Sequence, residues 1–497
     1  MSFEPEILLG PPGTGKTTRL LQIVAEALAS GVQPTQIGFV AFTRKAATEA
    51  VERACTQFNL HKKQLPYFRT LHSFAMGMTG IPRDALMSSY NYQDLSNIIG
   101  VPMNGGIVND AGHFLAGNLT GDKALFVSNL SRIKNTQLIK EWAEQNEYLK
   151  YELVDYVHNS LKKYKRKNSL YDFTDLLEEF VLRGHTPQLK LLVVDEAQDL
   201  SRLQWLMVEK LAANAEHTIV AGDDDQAIYD WAGADVNYFL NLKGPTTTLG
   251  QSYRVPKAVQ GAAFNLLRRI RSRRQKEWAP RDEQGQVEQL MGGESLDFTS
   301  GEWLVLSRNN ETRAVEELKY DVRRQGVLYT ERGRKSVSAK LVKAIQAYTT
   351  LSRGGEVTPS DAKEAAKWIT NTNVTFPKEA RVTPALFKET VKCDLSTIWH
   401  EAFRLLDQET KSYLIAVLRR KESITAEPRV KFSTIHGSKG GEAQNVVIAT
   451  DVSKASNLNL ERNPDSENRV FYVGATRAKE NLYILFQRTT CFFPLLV

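Results

Sequence analysis

Four short apolar runs punctuate the first half of the chain: Ile7-Leu8-Leu9, Ile37-Gly38-Phe39-Val40-Ala41, Leu191-Leu192-Val193-Val194 and Thr218-Ile219-Val220-Ala221. None alternates with polar residues, so each predicts a strand buried on both faces, as in a parallel sheet covered by helices. The run at Ile7 is followed by helical spacing, Leu20-Leu21-Ile23-Val24-Ala27-Leu28, and strand–helix alternation of this kind predicts an α/β fold. A second set of runs begins at Trp303-Leu304-Val305-Leu306 and resumes at Val430–Thr434, Asn445–Ala449 and Leu482–Phe486. Between these sets the pattern turns helical. Residues 81–168 carry Leu138-Ile139-Trp142 and Leu153-Tyr156-Val157-Leu161, and residues 356–425 read as helical and polar. The expected organisation is therefore one parallel-sheet core from 1–80 and 169–255 and a second from 256–355 and 426–497. Residues 81–168 and 356–425 are expected to be mostly helical insertions.

The chemistry begins where the first strand ends. Gly10-Pro11-Pro12-Gly13-Thr14-Gly15-Lys16-Thr17 lies between the Ile7 strand and the Leu20 helix, the context of a phosphate-binding loop. Glycines there let the backbone turn its N–H groups around an anion, and the helix N-terminus adds partial positive charge. Lys16 can reach terminal phosphates and Thr17 can offer its hydroxyl to Mg²⁺. The Leu191 strand ends in Asp195-Glu196-Ala197-Gln198-Asp199. With the loop, this predicts Asp195 as a metal carboxylate and Glu196 as the group that deprotonates attacking water. These residues together imply binding of a nucleoside triphosphate. After the Thr218 strand, Gln226 is placed to sense a γ-phosphate, and Tyr229 and Trp231 are either base-stacking rings or core aromatics.

Several other features have two readings. Phe42-Thr43-Arg44-Lys45 ends a strand, where open α/β sheets bind ligands, but Arg44 and Lys45 also suit a solvated helix start. His72 lacks a metal partner at suitable spacing and reads alone as structural. The run Lys162–Lys167 is either a solvated face or a contact for a nucleic-acid backbone. Arg268–Arg274 is expected to be exposed surface.

Composition bounds the rest. The chain has 497 residues, 42% hydrophobic and 24% charged, ordinary for a globular protein but too long for one core. A net charge of +7 permits a polyanionic partner without requiring one. Cys55, Cys393 and Cys491 are too scattered for a metal site or disulfide framework, so free thiols in a reducing compartment are expected. No apolar run approaches the ~20 residues that span a bilayer, and no signal-peptide pattern precedes the loop. The expected location is cytoplasmic, in a bacterium or a virus-infected host, with no membrane partner.

The segments GPPGTGKT, VAFTRKAATEA, FRTLHSF, YDFTDLL, VVDEAQD, GDDDQAIYDWAGA, QSYR, STIHGSKGGEAQNVVI and YVGATRAKE occur in this order. Across both core halves the chain thereby resembles superfamily 1 DNA helicases of the UvrD/Rep/PcrA type. The resemblance implies two RecA-like parallel-sheet P-loop cores with ATP and Mg²⁺ bound between them. It implies that Gly10, Pro11, Pro12, Gly13, Thr14, Gly15, Lys16, Thr17 and Thr18 cradle ATP, with Thr17 and Asp195 on the metal. Tyr253 would stack on adenine, Arg254 would touch the γ-phosphate, Glu442 would bind ribose and Arg477 would act as an arginine finger. Lys16, Glu196, Gln226, Arg254 and Arg477 then form the catalytic set. Single-stranded DNA, leading to a duplex junction, would meet Phe42, Thr43, Arg44, Thr70, His72, Tyr229, Trp231 and His436. Movement would run 3′ to 5′.

Two departures limit the resemblance. The family's adenine-reading glutamine segment has no counterpart among the nine residues before Gly10, so strict ATP preference is not implied. The 356–425 insertion is short for the family, so accessory regulation and partner docking are not implied, and the compact build suggests a viral or minimal bacterial version. The leading expectation is an ATP-driven motor that separates strands. The alternatives are a translocase that displaces proteins with little unwinding, and an ATP-gated module that loads other proteins.

Overall fold

The structure is a computed structural model that describes residues 3–108, 114–115, 117–145, 149–310, 312–377 and 380–495. The chain divides into two compact units, the first of Met1–Val255, Leu267–Arg281 and Asp465–Tyr472, the second of Pro256–Leu266, Asp282–Pro464 and Val473–Val497. Among the described residues no helix is long and apolar enough to cross a membrane.

The four non-alternating apolar runs of the first unit become the interior strands of an all-parallel six-stranded sheet, with more polar strands at its two edges: β1 (Glu6–Leu9), β2 (Ile37–Ala41), β3 (Phe68–Thr70), β4 (Leu189–Val194), β5 (Ala215–Gly222) and β6 (Thr246–Thr248). Their order across the sheet is β3-β2-β4-β5-β1-β6. This order, rather than sequence order, decides the chemistry. It sets the C-terminal end of β5 between the ends of β4 and β1, so segments almost two hundred residues apart in sequence converge. Helices α1 (Lys16–Ala29) and α2 (Arg44–Phe58) cover the sheet through Leu20, Leu21, Val24, Ala47, Ala50, Val51 and Ala54, which share one core with Phe39, Leu191 and Val193, and α3 (Leu71–Thr79) leads directly off β3.

Residues 81–168 are largely helical. Here α4 (Ser89–Ile99), α5 (Thr120–Ile133) and α7 (Tyr151–Asn168) bury Leu95, Leu125, Val127, Val154, Val157 and Leu161 in a separate core, with α6 (Leu138–Gln145) packed beside it through Leu138 and Trp142. The buried positions of α7 repeat at helical spacing, which accounts for its single apolar stripe. Lys162, Lys163, Arg166 and Lys167 of its basic run are exposed, but Lys165 is buried.

Lys165 turns toward Asp172 (2.5 Å) and Asp175 (2.6 Å) at the start of α8 (Phe173–Arg183). Arg132 of α5 meets the same two acids at 2.7 and 2.6 Å, and Glu178 at 2.8 Å. Burial disfavours the Asp172 carboxylate, yet the two cations outweigh it and hold the acid far below its usual range. Asp175 is pushed up, by burial and then by the charge of Asp172. Acid-rich α8 is thus tied to α5 and α7 by charge as well as by packing.

The second unit holds a seven-stranded sheet: β7 (Gln286–Leu290), β8 (Trp303–Ser307), β9 (Tyr329–Glu331), β10 (Arg334–Lys335), β11 (Val430–Thr434), β12 (Ala443–Ala449) and β13 (Ala478–Leu485), in the order β7-β13-β12-β8-β11-β9-β10. All its pairings are parallel except β9 with β10. Among the described residues of 356–425, the helices Pro359–Ala366, Pro384–Val391, Trp399–Ala402 and Gln408–Arg419 are joined by irregular segments, and the stretch is not polar throughout. Ala362, Phe387, Trp399, Phe403, Tyr413 and Leu414 are buried in one core with Trp303, Val305, Phe432 and Val447 of the sheet. The apolar positions are spread at helical spacing among charged ones, which masks them in a linear reading.

Arg132→Met would leave the buried acids of α8 with one cation in place of two. Breaking a buried ion pair from one side costs about 3–5 kcal/mol, and urea unfolding should show a loss of that order. A loss under ~1 kcal/mol would mean that the cluster behaves as a solvated surface pair.

Candidate nucleotide-binding site and adjoining basic cavity

The loop after β1 is shaped by two left-handed glycines, Gly13 at φ +72° and Gly15 at φ +75°, a region that L side chains rarely adopt. Gly13 is also required sterically, because a Cβ there would lie 2.4 Å from Cβ of Arg254. The loop is braced from within and from the side. Thr14 Oγ1 donates to the Pro11 carbonyl (2.8 Å), Ser252 Oγ donates to the Pro12 carbonyl (2.7 Å), and the Tyr253 N–H donates to the Gly13 carbonyl (2.8 Å). The segment Ser252–Arg254, on strand Gln251–Pro256, thus lies against the loop. Tyr253 is 73% exposed, with its ring 4.0 Å from the Cβ position of Gly15.

Lys16 opens α1 and its Nζ lies 2.5 Å from Glu196 Oε1 and 3.2 Å from Asp195 Oδ1. Burial alone would lower the lysine's pKa, but Asp195 and then Glu196 reverse this and hold it above its usual range, so it stays charged. Asp195 is 3% exposed. Burial raises its pKa, with Lys16 opposing and Glu196 adding to the rise. Glu196 has φ +54°, a conformation costly for a long side chain. It is held there between strand end and short helix, with its own N–H donating to Asp195 Oδ1 (2.8 Å).

Gln198, which the sequence reading did not single out, joins this centre to the next strand. Its Nε2 donates to Glu196 Oε2 (2.6 Å), and its Oε1 accepts the Asp223 N–H (3.0 Å). Asp223 Oδ2 in turn accepts from Gln226 Nε2 (2.7 Å). A continuous hydrogen-bonded path therefore runs from Lys16 through Glu196, Gln198 and Asp223 to Gln226. The only sequence signal for Gln198 is its place two residues after Glu196 within an acid cluster.

The expectation that Arg268–Arg274 is exposed surface is corrected in part. Arg268 and Arg271 are exposed, but Arg273 donates to both oxygens of Asp225 (2.8 and 2.6 Å), and Arg274 donates to the carbonyls of Phe239 and Leu242. Asp225 draws Arg273 inward and two backbone carbonyls hold Arg274, partners that nothing local in the sequence reveals.

A cavity of about 920 Å³ in the first unit is lined by Phe42, Arg44, Thr70 and His72, with Arg69, Lys62 and Phe173. Thr43 and Thr70 cap helices: Thr43 Oγ1 accepts from Ala46 N (3.1 Å) and Thr70 Oγ1 from Ser73 N (3.3 Å). Two helix N-termini, favourable to anions, thus begin beside the cavity. Tyr229 is buried with its ring 5.5 Å from that of Phe42, whereas Trp231 is 39% exposed. Of the two rings, Trp231 presents the open face. His72 packs on Phe173 at 5.1 Å. Burial, then the charge of Arg44, pushes its pKa down to about 4, so its ring is neutral near pH 7 and adds no cationic contact.

In the second unit, Arg477 is 2% exposed, and its Nε donates to the Val473 carbonyl (2.8 Å). It neighbours Glu442 along the backbone pairing, since Ala443 N donates to the Arg477 carbonyl (3.2 Å). Glu442 meets Lys479 at 2.7 Å. His436 begins a short helical turn and is half-buried. Among the described residues no cluster of three or more His, Cys, Asp or Glu side chains could hold a metal.

A glycine loop between a parallel strand and a helix, with its lysine held on two strand-end acids, defines a P-loop protein with RecA-like sheets. Residues 3–246 match the UvrD/REP helicase N-terminal domain, and residues 386–489 match the UvrD-like helicase C-terminal domain. The chain belongs to the UvrD/REP helicase family. It is 27% identical over 304 residues to the ATP-dependent DNA helicase PcrA of Bacillus subtilis, covering 56% of this chain and 40% of that protein. It is 25% identical over 368 residues to the PcrA of Leuconostoc citreum, covering 70% and 48%. The matched region is therefore less than half the length of either relative. An arterivirus helicase, nonstructural protein 10, aligns over 97% of this chain and 59% of its own at a TM-score of 0.37 and 11% identity, a likeness too low to carry an argument.

The depressed pKa of His72 has a measurable consequence. Between pH 6.5 and 4 the unfolded chain binds a proton at this site that the folded chain does not, so stability rises with pH across that window. NMR titration should place the His72 midpoint near 4, and His72→Gln should flatten the slope of stability against pH in the same interval. A midpoint near 6.5 would show that the ring is solvated.

Proposed function

We propose that this chain is an ATP-dependent DNA helicase that moves 3′ to 5′ along single-stranded DNA toward a duplex junction. The observation that carries the reading is Lys16, a largely covered ammonium shared by Asp195 and Glu196 at the mouth of a glycine loop. The two carboxylates share the lysine. An entering triphosphate competes for the same ammonium, and Glu196 Oε1 is then released to accept a proton from the attacking water. Gln198 keeps hold of Oε2, so the acid is freed without being set adrift. The buried, hard-oxygen carboxylate of Asp195 beside the first turn of α1 suits a divalent cation. Thr17 and Asp195 would hold Mg²⁺, which would neutralise charge on the phosphates.

The remaining roles are proposed on the motifs that this chain shares with the family. Exposed Tyr253 beside Gly15 supplies a face for the base, and Glu442 binds the ribose. Gln226 reports the γ-phosphate, and Arg254 and Arg477 meet the charge that develops there. DNA phosphates run past the capped helix starts at Thr43 and Thr70 and past Arg44, bases stack on Trp231, and neutral His72 contributes its ring. His436 contributes from the second unit.

Glu196→Gln should keep nucleotide binding and lose turnover by about 100-fold or more, since the proton acceptor is gone. It should also bind ATP at least as tightly as the parent, because Lys16 loses a competing carboxylate. Lys16→Ala should weaken binding itself. Near-parental hydrolysis in Glu196→Gln, measured by phosphate release, would remove the base from this role.

A duplex with a 3′ single-stranded tail should be unwound with ATP and Mg²⁺, and one with a 5′ tail should not. Trp231→Ala should lower unwinding more than ATP hydrolysis, and Arg477→Ala should abolish DNA-stimulated hydrolysis at nearly unchanged DNA affinity. Preference for the 5′ tail overturns the direction. ATP hydrolysis without strand separation on either substrate overturns the helicase reading in favour of a translocase.

A further inference from the structure

Three consecutive acids, Asp223, Asp224 and Asp225, follow β5, and each is 1% exposed or less. Leaving such a group unpaired in the interior is strongly unfavourable, so the partners that hold them decide how this segment sits. One ammonium serves all three. Lys276 Nζ lies 2.9 Å from Asp223 Oδ1, 2.5 Å from Asp224 Oδ1 and 2.8 Å from Asp225 Oδ2, with its side chain 1% exposed. Burial would strip its proton, but Asp223, Asp225 and Asp224 more than reverse that and hold it above the usual lysine range. Arg273 adds its two bonds to Asp225, and the Arg274 N–H donates to Asp224 Oδ2 (2.9 Å).

The two oxygens of Asp223 are divided. Oδ1 faces the Lys276 ammonium at 2.9 Å and accepts the Asp225 N–H more loosely at 3.2 Å, and Oδ2 accepts from the Gln226 side chain at 2.7 Å. The Asp223 N–H is fixed in turn by Gln198, which holds Glu196. We infer that Lys276 is a positioning residue for hydrolysis: by pinning one oxygen of Asp223 it fixes the other, which sets the amide of Gln226 and the spacing between Gln226 and Glu196. The inference rests on the proposed role of Gln226 as the γ-phosphate sensor. The competing account is that Lys276 only balances charge and any arrangement of equal net charge would serve.

The double variant Lys276→Met/Asp224→Asn separates the two accounts. It removes one cation and one anion, so the cluster keeps its net charge, and the asparagine oxygen can still accept from Arg274 N. What it lacks is the ammonium on Asp223. Lys276→Met alone risks misfolding, so the double variant is the one to measure, against Asp224→Asn as reference. Positioning predicts a melting temperature near the reference, a KM for ATP within about twofold, and kcat with saturating single-stranded DNA down about tenfold, the pattern of a lost transition-state contact. It also predicts that adding Gln226→Ala lowers kcat no further than Gln226→Ala does alone, since coupled residues are not additive. Recovery of both melting temperature and kcat in the double variant overturns the inference in favour of simple charge balance. Losses that multiply with Gln226→Ala overturn it as well. A parental kcat in Gln226→Ala itself overturns the sensor role in the proposed function, and this inference with it. A lowered kcat there beside a normal double variant removes only the role of Lys276.

Discussion

Carboxylates crowd the C-terminal ends of two neighbouring parallel strands, and much of the first unit is arranged to make that crowding tolerable. Asp195, Glu196 and Asp199 follow β4, and Asp223, Asp224 and Asp225 follow β5, which pairs directly with it. All but Glu196 are buried. Acids this close repel, and burial raises the cost of each charge. Lys16, Arg273 and Lys276 supply the opposing charge, and neutral Gln198 bridges the two groups by accepting from one and donating to the other. The arrangement holds Glu196 against the phosphate loop, with one oxygen on Lys16 and the other on Gln198.

That electrostatic demand also shapes the path of the chain. After β6 and the strand that braces the phosphate loop, the chain enters the second unit at Pro256, yet Leu267–Arg281 lies again with the first unit. Arg273 and Lys276 are the residues of that segment held on the acids, and Trp278 is buried beside them in sequence. Asp465 caps the same segment by accepting the N–H groups of Arg271 and Ser272. A stretch that reads locally as a basic surface is thus structural at Arg273, Arg274 and Lys276 and exposed at Arg268 and Arg271. The same division recurs at Lys165, buried within a run whose neighbours are solvated.

The elements themselves were legible in the sequence because each depends on short-range pattern. Unbroken apolar runs at Ile37 and Leu191 became interior parallel strands, and helical spacing at Leu153–Leu161 became α7. The phosphate loop was legible for a related reason: its glycines, lysine and threonine act through backbone geometry within eight residues. Less legible were residues whose role depends on partners far along the chain. Tyr229 and Trp231 have similar sequence surroundings, yet one is buried against Phe42 and the other is open. His72 gave no hint that burial and Arg44 would keep it neutral.

Local periodicity and motifs of fixed spacing suffice for the α/β class, for four apolar strands in each of the two sheets, for the family, and for Lys16, Asp195 and Glu196 as a set. The polar edge strands, which acids share which cations, the link from Glu196 through Gln198 to Asp223, and the three aspartates on Lys276 emerge only on folding. Strand order brings the ends of β1, β4 and β5 together, and hydrogen bonds of 2.5–3 Å across that junction join residues separated by up to 180 positions. Contacts of that range leave no periodic trace in the chain, and so they are visible only once it is folded.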